Sequence, residues 1–303
     1  MKKTASEILQ MAQQEDVEFI RLQFTDMFGA LKNVAITTGQ LARALDNRYM
    51  FDGSCLYGGL RRGEEDMYLL PDPDTFTVLP WRPQQGKVAR LLCDVGKNDG
   101  TPIEMDPRSI LRRVCKRMED KGYTFLVDPE CEFFLFHTDD NGIPTTLSHE
   151  QAGYMDVSPL DLGENARRDM VLTLEEMGFE IESSHHEIAP AQHEIDFKCG
   201  EPMKTADAVV TFKNAVRSIA KRFGLHATFM PKPRPGVAGS GMHLAISAFR
   251  EGKNVFTADG GEELGQEALW FMGGIMAHAR QMCAVTNPLV NSYKRLNAGF
   301  EAP

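Results

Sequence analysis

The polar and apolar positions of this chain follow the two periods that separate helices from strands. Apolar residues three or four positions apart indicate a helix face, and apolar residues two positions apart indicate a strand face. In the first hundred residues these patterns predict a helix over 4–14 and strands over 17–24, 33–37 and 87–95. Residues 51–83 are rich in Gly, Pro and Asp, so we predict a long loop that carries function.

From residue 108 onward, predicted helices and strands are mixed, and some strands follow one another directly. Helices are predicted over 108–121, 164–177, 205–223 and 262–286. Strands are predicted over 123–137, 179–185, 192–197, 225–230 and 242–249. This order is typical of an α+β fold with hairpin-like, antiparallel strand pairs. The stretch 101–107 predicts a boundary between a small β-rich domain, 1–103, and a second domain, 104–303.

The strand predicted over 123–137 carries two glutamates, Glu130 and Glu132, on a largely apolar element. Its odd-numbered positions are apolar and suit a core, whereas its even-numbered positions place Glu130 and Glu132 between Leu126 and Phe134. Two unit charges about 4 Å apart repel by roughly 4 kcal/mol at an effective dielectric constant near 20. We therefore expect a cation between the two carboxylates. Ligands rich in oxygen and free of thiolate favour Mg²⁺ or Mn²⁺ over zinc.

Two further segments offer ligands of the same kind. Residues 184–197 contain Glu187 and Glu194, and residues 235–243 form a glycine-rich loop that ends at His243. A zinc-binding helix with two histidines four residues apart is excluded, because the position four residues after His186 is Pro190. Five oxygen or nitrogen ligands from separate segments fit a two-metal site for phosphoryl chemistry. The glycines match neither a Rossmann nor a P-loop fingerprint.

Composition narrows the class of protein and its partners. The chain has 33 basic and 43 acidic residues, a net charge of −10, which disfavours nucleic acid and anionic membranes as partners. Its six cysteines are scattered, which is typical of free thiols in a reducing cytosol. The longest apolar run, 268–277, is too short to span a bilayer, and no signal peptide is recognisable. We predict a cytoplasmic protein.

Seven motifs, in order along the chain, resemble those of bacterial class I glutamine synthetases. They are 51–54 (FDGS), 130–133 (ECEF), 185–187 (HHE), 192–194 (QHE), 226–233 (HATFMPKP), 239–243 (GSGMH) and 287–296 (NPLVNSYKRL). The resemblance implies a β-grasp-like N-terminal domain followed by a glutamine synthetase-type catalytic domain. In that family the chain continues well beyond residue 303, so the catalytic domain is expected to be incomplete at its C-terminus and the 303 residues to be inactive by themselves.

The resemblance also implies a set of site residues. Glu132, Glu187 and Glu194 resemble the ligands of one metal ion, and Glu130 and His243 those of a second. Arg295, Gly239 and Gly241, with Glu132 and Glu187, are expected to bind substrate. Glu182, Ser247 and His186 lie where the family contacts nucleotide. Asp52 corresponds to an aspartate that handles ammonium in a neighbouring subunit's site, and Glu301 to a glutamate in a mobile flap; both are expected to act as general bases.

The implied reaction is ATP-dependent ligation of ammonia to the γ-carboxylate of glutamate through γ-glutamyl phosphate, in a homo-oligomer, a dodecamer in the family. Two alternatives stay open. A γ-glutamyl–amine ligase would use an organic amine instead of ammonia. This alternative is supported by two departures from the family pattern, Ala238 and the segment 297–300. A non-catalytic relative would keep the fold alone, against which the presence of all five candidate ligands argues.

Overall fold

The computed structural model describes residues 3–57, 66–82, 85–258 and 263–300. The chain divides into two compact units, Met1–Arg117 and Met118–Pro303, each of which contains its own sheet. This division falls inside a helix, so the domain boundary predicted between residues 103 and 104 stays a prediction. Within the described residues, no helix is long and apolar enough to cross a bilayer.

The first unit is built on a mixed sheet. Its strands are β1 (Val17–Thr25), β2 (Leu31–Thr37), β3 (Tyr49–Asp52), β4 (Asp66–Pro71), β5 (Thr77–Val78) and β6 (Lys87–Gly96), and its helices are α1 (Ala5–Gln14), α2 (Leu41–Leu45) and α3 (Pro107–Glu119). In the described part the strand order is β2-β1-β6-β4-β3, with β5 also beside β6. Strands β1 and β6 are parallel, and the other pairs are antiparallel.

Part of the long loop predicted over 51–83 is a strand. In β4, Met67 and Leu69 are buried, and the backbone pairs with β3 on one side and with β6 on the other. The strand was missed because Gly, Pro and Asp dominate the surrounding sequence and only two residues of this short segment face the core. Pairing with neighbours distant in sequence overrode the local composition.

A matched set of charges holds helix α3 to the sheet of the first unit. The guanidinium of Arg108 donates to Asp94 Oδ1 at 2.5 Å and to Asp72 Oδ2 at 2.9 Å. Arg112, one turn later, donates to Asp94 Oδ2 at 2.7 Å. Asp106 caps the helix by accepting from the backbone N–H of Ser109. Two arginines therefore balance two aspartates at this position.

The second unit is built on an antiparallel sheet. Its strands are β7 (Thr124–His137), β8 (Ile181–His186), β9 (Gln192–Phe197), β10 (Leu225–Thr228), β11 (Met242–Arg250) and β12 (Lys253–Asn254), and its helices are α4 (Glu164–Glu176), α5 (Pro202–Arg222), α6 (Gln266–Thr286) and α7 (Val290–Arg295). The strand order in the described part is β12-β11-β7-β9-β8, with β10 also beside β7. The predicted elements of this region are present, and the short helix α7 and strand β12 were not predicted.

Strand β7 is the centre of the second unit. Its odd face is core as predicted, with Phe133 fully buried and its ring centroid 6.2 Å from that of Phe212 on α5. Its even face changes character along its length. Glu130 and Glu132 are half-buried, but Phe134 and Phe136 lie in a second core beneath the turn between β8 and β9. The carboxylates therefore lie at the edge of a dry region.

Candidate active site

The strand register brings ionisable residues together in two rows across one face of the sheet. In the first row, Glu130 on β7 lies opposite His243 on β11 and opposite Asp196 on β9. In the second row, Glu194 on β9 lies opposite Glu132 on one side and His185 on the other. Side chains directly opposite each other have Cβ atoms about 4.5–5.5 Å apart, and like charges in such pairs destabilise a sheet.

All five predicted metal ligands line one cavity of about 610 Å³. Glu130, Glu132, Glu187, Glu194 and His243 contribute to its wall together with Gly239 and Arg295. Sequence reasoning therefore placed these seven residues around a common space, although their roles stay predictions. The remaining described lining residues are Tyr154, Ile188, Ala189, Pro190, Gln192, Gly236, Val237, Ala238 and Phe300.

Glu132 is held in a defined orientation by two donors. Its Oε2 accepts from Gln192 Nε2 at 2.6 Å and from the backbone N–H of Gly241 at 2.9 Å. The Gln192 amide also donates to the carbonyl of Gly239 at 3.3 Å. Gln192 was missed as a site residue, although it begins a motif that the sequence analysis singled out. It lies two residues before Glu194 on the same strand, so alternation places both side chains on one face, and this signal could have identified it.

His185 was not predicted to belong to the site, and the structure places it between two predicted ligands. Its Nδ1 lies 3.4 Å from Glu187 Oε1, and its Nε2 lies 3.4 Å from Glu194 Oε1. The three side chains offer ligand atoms within 4.8 Å of one another. The ring of Tyr154 packs edge-on against His185, with centroids 5.6 Å apart. A second histidine contact joins His243 Nδ1 to Glu130 Oε2 at 3.1 Å.

The electrostatics of the cavity favour a bound cation. Burial, reinforced by the nearby carboxylates of Asp196 and Glu187, raises the pKa of Glu194 to about 8. Burial also raises the pKa of Glu187. Such shifts mark carboxylates that lack enough positive charge around them. A divalent cation with oxygen ligands would supply that charge, so the donor set fits Mg²⁺ or Mn²⁺.

Arg295 passes over the glycine-rich loop, and two glycines of this loop have little room for a Cβ. A Cβ on Gly241 would lie 2.8 Å from Arg295 Nη2 and 3.1 Å from Glu132 Oε1. A Cβ on Gly239 would lie 2.2 Å from the backbone carbonyl oxygen of Pro231 and 3.2 Å from Arg295 Cγ. The Arg295 Nε also approaches the Gly239 carbonyl at 3.4 Å. Glycine is therefore required for steric reasons at position 239, where a Cβ would meet backbone, whereas at position 241 a Cβ would meet only the ends of two side chains.

Helix α7 is tied to the same loop by a side-chain amide. Asn291 Oδ1 accepts from the backbone N–H of Lys232 at 2.8 Å, and its Nδ2 donates to the Lys232 carbonyl at 3.0 Å. The Lys232 ammonium donates to the Val237 carbonyl and lies 3.6 Å from the ring centroid of Phe300. These contacts set where Arg295 enters the cavity.

The three residues predicted to contact nucleotide do not line this cavity. His186 is fully buried, and its two ring nitrogens contact Glu150 Oε1 and the Glu187 carbonyl. This placement does not support the predicted phosphate contact, because neither nitrogen faces the cavity. Glu182 is exposed on β8, and Ser247 is half-buried on β11 opposite Leu126. Both stay predictions as nucleotide contacts.

Asp52 and Glu301, the two predicted general bases, are not placed in the site by the structure. Asp52 ends β3 in the first unit, where its Oδ1 accepts from the backbone N–H of Ser54 at 2.9 Å, as in an Asx turn. Glu301 lies outside the described residues. Their roles in catalysis therefore stay predictions.

Known proteins match the chain along its whole length. The family model for the glutamine synthetase β-grasp domain matches residues 16–98, and that for the glutamine synthetase catalytic domain matches residues 104–303. The chain belongs to the glutamine synthetase family. Glutamine synthetase of Clostridium saccharobutylicum is 58% identical over 303 residues, which are 100% of this chain and 68% of the relative. Glutamine synthetase of Staphylococcus aureus strain MW2 is 54% identical, over 99% of this chain and 68% of the relative.

Two solved structures share the fold of this chain. A structure described as apo GmaS without ligand superposes with a TM-score of 0.87 at 32% identity, covering 98% of this chain and 69% of that one. The cryo-EM structure of Plasmodium falciparum glutamine synthetase superposes with a TM-score of 0.88 at 24% identity, covering 99% of this chain and 66% of that one, and shows the fold alone. The predicted β-grasp domain and antiparallel catalytic sheet are thereby confirmed.

Proposed function

We propose that the cavity in the second unit is the glutamine synthetase active site and that it holds two divalent ions, Mg²⁺ or Mn²⁺. Glu132, Glu187 and Glu194 would hold one ion, and Glu130 and His243 the other. The observation that carries the proposal is the clustering of four glutamates on one cavity wall, with the pKa of Glu194 raised to about 8. When bound, the ions neutralise charge on the phosphoryl group transferred from ATP to the γ-carboxylate of glutamate.

The chain's own residues bind and orient the amino acid. The Arg295 guanidinium can pair with a substrate carboxylate through two parallel hydrogen bonds. The bare backbone at Gly239 and Gly241 lets substrate approach closely, because a Cβ at either position would occupy space next to Arg295. Val237, Ala238 and Ile188 form an apolar part of the cavity wall, which would limit hydrolysis of an acyl phosphate by water.

The nucleophile of the final step is proposed to be ammonia, with Asp52 and Glu301 accepting its protons. The relatives at 53–58% identity are glutamine synthetases, which favours ammonia over an organic amine. An organic amine stays the second candidate because Ala238 leaves only a methyl group on the cavity wall. With the chain joined to the last third of a relative as the enzyme, the products formed from ammonium and from methylamine are compared; a product made only from methylamine would overturn the ammonia proposal.

The metal proposal is tested by titrating the protein with Mn²⁺ and measuring the free ion by electron paramagnetic resonance. We expect Glu187→Gln to raise the dissociation constant about 100-fold, since a charged ligand is lost. Glu175→Gln, the same substitution at an exposed position of α4, is the matched control and should bind as the wild type does. Equal binding by both variants would mean that the glutamates do not hold metal.

Ligation itself is proposed to need more of the protein than this chain. The chain spans about 68% of its curated relatives, and we expect glutamine formation only when it is joined to the corresponding last third of a relative. A homo-oligomer, a dodecamer by resemblance, is proposed to complete the site by bringing Asp52 from a neighbouring copy. ATP-dependent glutamine formation by the 303 residues as a monomer would contradict both statements.

A further inference from the structure

A buried carboxylate beneath the cavity has no place in the reaction proposed above. Glu150 lies in the segment between β7 and α4, is 4% exposed and is not among the residues that line the cavity. Burying a charged carboxylate costs several kcal/mol unless hydrogen bonds compensate the lost hydration. The hydrogen-bond donors around Glu150 therefore indicate which parts of the structure this buried carboxylate holds together.

Both oxygens of Glu150 are occupied by donors from different segments. Oε1 accepts from His186 Nε2 at 2.5 Å and from the backbone N–H of Ala191 at 2.7 Å. Oε2 accepts from the backbone N–H groups of Leu162 and Gly163 at 2.8 and 3.1 Å. One side chain thus joins the end of β8, the start of β9 and the entry to α4.

The segment that Glu150 holds is the turn that carries two of the site residues. Glu187 and Gln192 close this turn, with the Glu187 N–H donating to the Gln192 carbonyl at 2.8 Å. Ala191 within it has a φ of 72°, a left-handed conformation that costs a residue with a Cβ roughly 1–2 kcal/mol. The hydrogen bond from Ala191 to Glu150 offsets this strain.

His186 extends the link to the backbone of a predicted ligand. Its Nδ1 lies 2.6 Å from the Glu187 carbonyl oxygen, while its Nε2 faces Glu150. The ring bridges the Glu150 carboxylate and the Glu187 carbonyl through its two nitrogens. The imidazole is therefore a rigid spacer between the Glu150 carboxylate and the peptide group that joins Glu187 to Ile188.

We propose that Glu150 is a positioning residue, which through His186 and Ala191 sets the orientation of Glu187 and of Gln192, and through Gln192 that of Glu132. The inference rests on the proposed metal-binding function of the cavity. Residues that orient metal ligands typically change affinity 10- to 100-fold when they are replaced. Glu150 would thus control metal binding without touching the metal.

The test is Glu150→Gln, which keeps the size of the side chain and removes two acceptor positions. The new amide group must face either the N–H group of Ala191 or the N–H groups of Leu162 and Gly163, and all three are donors. We expect the dissociation constant for Mn²⁺ to rise 10- to 100-fold and the Ala191 amide to exchange its hydrogen faster. A Glu150→Gln protein that folds and binds Mn²⁺ as the wild type does would overturn the proposal.

The matched control is Glu267→Gln in the same unit. Glu267 accepts from Tyr123 and from Arg250, far in sequence from the turn, so its loss should lower the melting temperature but leave Mn²⁺ affinity unchanged. A fall in Mn²⁺ affinity in both variants would show that general destabilisation, and not positioning, is the cause.

Two further measurements complete the test. His186→Gln cuts the link to the Glu187 carbonyl and should raise the Mn²⁺ dissociation constant about 10-fold; if neither this variant nor Glu150→Gln folds while Glu267→Gln does, the network serves folding only and the proposal fails. Wild type and Glu187→Gln are titrated in parallel. If these two bind Mn²⁺ equally, it is the metal function of the cavity that fails, which distinguishes the two failures.

Discussion

Two acidic clusters of this protein show how differently carboxylates can be accommodated. In the first unit, Asp72 and Asp94 are paired with the guanidinium groups of Arg108 and Arg112. In the second unit, four glutamates line a cavity whose described wall contributes Arg295 and His243 as the basic groups. The first cluster is balanced by the chain itself and holds a helix in place. The second is not balanced, which is the property expected of a site that binds cations.

The largest effect is expected from breaking the balanced cluster. Arg108 is only 9% exposed. Arg108→Ala removes the guanidinium that compensates the negative charges of Asp72 and Asp94. Removing one partner of a buried ion pair typically costs about 3–5 kcal/mol. We expect the free energy of unfolding, measured by urea titration, to fall by about that amount while Mn²⁺ affinity stays unchanged. A loss below about 1 kcal/mol would mean that the cluster is merely a surface network.

In the unbalanced cluster, removing a charged side chain is expected to raise the free energy of unfolding instead of lowering it. Glu194→Gln removes a carboxylate whose pKa is raised to about 8 by burial and by neighbouring carboxylates. A raised carboxylate pKa means that folding is penalised at pH values where the unfolded chain is ionised. Removing this penalty should stabilise the metal-free protein by on the order of 1–3 kcal/mol at neutral pH. The same variant should bind Mn²⁺ about 100-fold more weakly. Urea titration and Mn²⁺ titration of one preparation measure both, and destabilisation of the metal-free form would contradict the comparison.

The pH dependence of the stability of the metal-free protein gives a further test of the unbalanced cluster. Glu194 has an ordinary pKa of 4.5 when unfolded and about 8 when folded, so the metal-free folded protein binds more protons between those values. The stability contributed by this group is fully present below pH 4.5 and is lost as pH rises to about 8. We expect this fall, on the order of 1–3 kcal/mol between pH 5 and pH 8, to be absent from Glu194→Gln and from protein saturated with Mn²⁺. Thermal melts over this pH range give the measurement.

The smallest effect is expected from a substitution that removes no charged group and only displaces the Arg295 guanidinium. Gly241→Ala places a Cβ 2.8 Å from Arg295 Nη2, the end of a flexible side chain that can shift. We expect glutamate to bind about 10-fold more weakly, an effect of about 1.4 kcal/mol, with little loss of stability. In Gly239→Ala the Cβ would meet the Pro231 carbonyl oxygen at 2.2 Å, so that variant should instead lower the melting temperature. Calorimetric titration with glutamate and thermal melts distinguish the two outcomes.

Much of the candidate site can be predicted from the order of residues along the chain. The alternation on β7 shows that Glu130 and Glu132 share a face, and the motif order identifies the family that supplies Glu187, Glu194 and His243 as partners. What could not be predicted is which residues lie opposite one another. His185 and Gln192 join the site because β8, β9 and β7 pair in one particular register, and a shift of one residue would turn each of them to the other face.

By itself, the amino-acid sequence determined the α+β class, most elements of the second unit and the group of four glutamates and one histidine that is predicted to bind metal, because local periodicity and recognisable motifs encode these features. Only the tertiary structure decided that β4 is a strand, that His186 faces Glu150 and not the cavity, and that Glu150 supports the turn from a position 37 residues before Glu187. These features depend on contacts between segments distant in the chain. Burial and hydrogen bonding across such distances have no local signature, so a carboxylate that holds a turn and a carboxylate that binds a metal ion are alike until their neighbours are known.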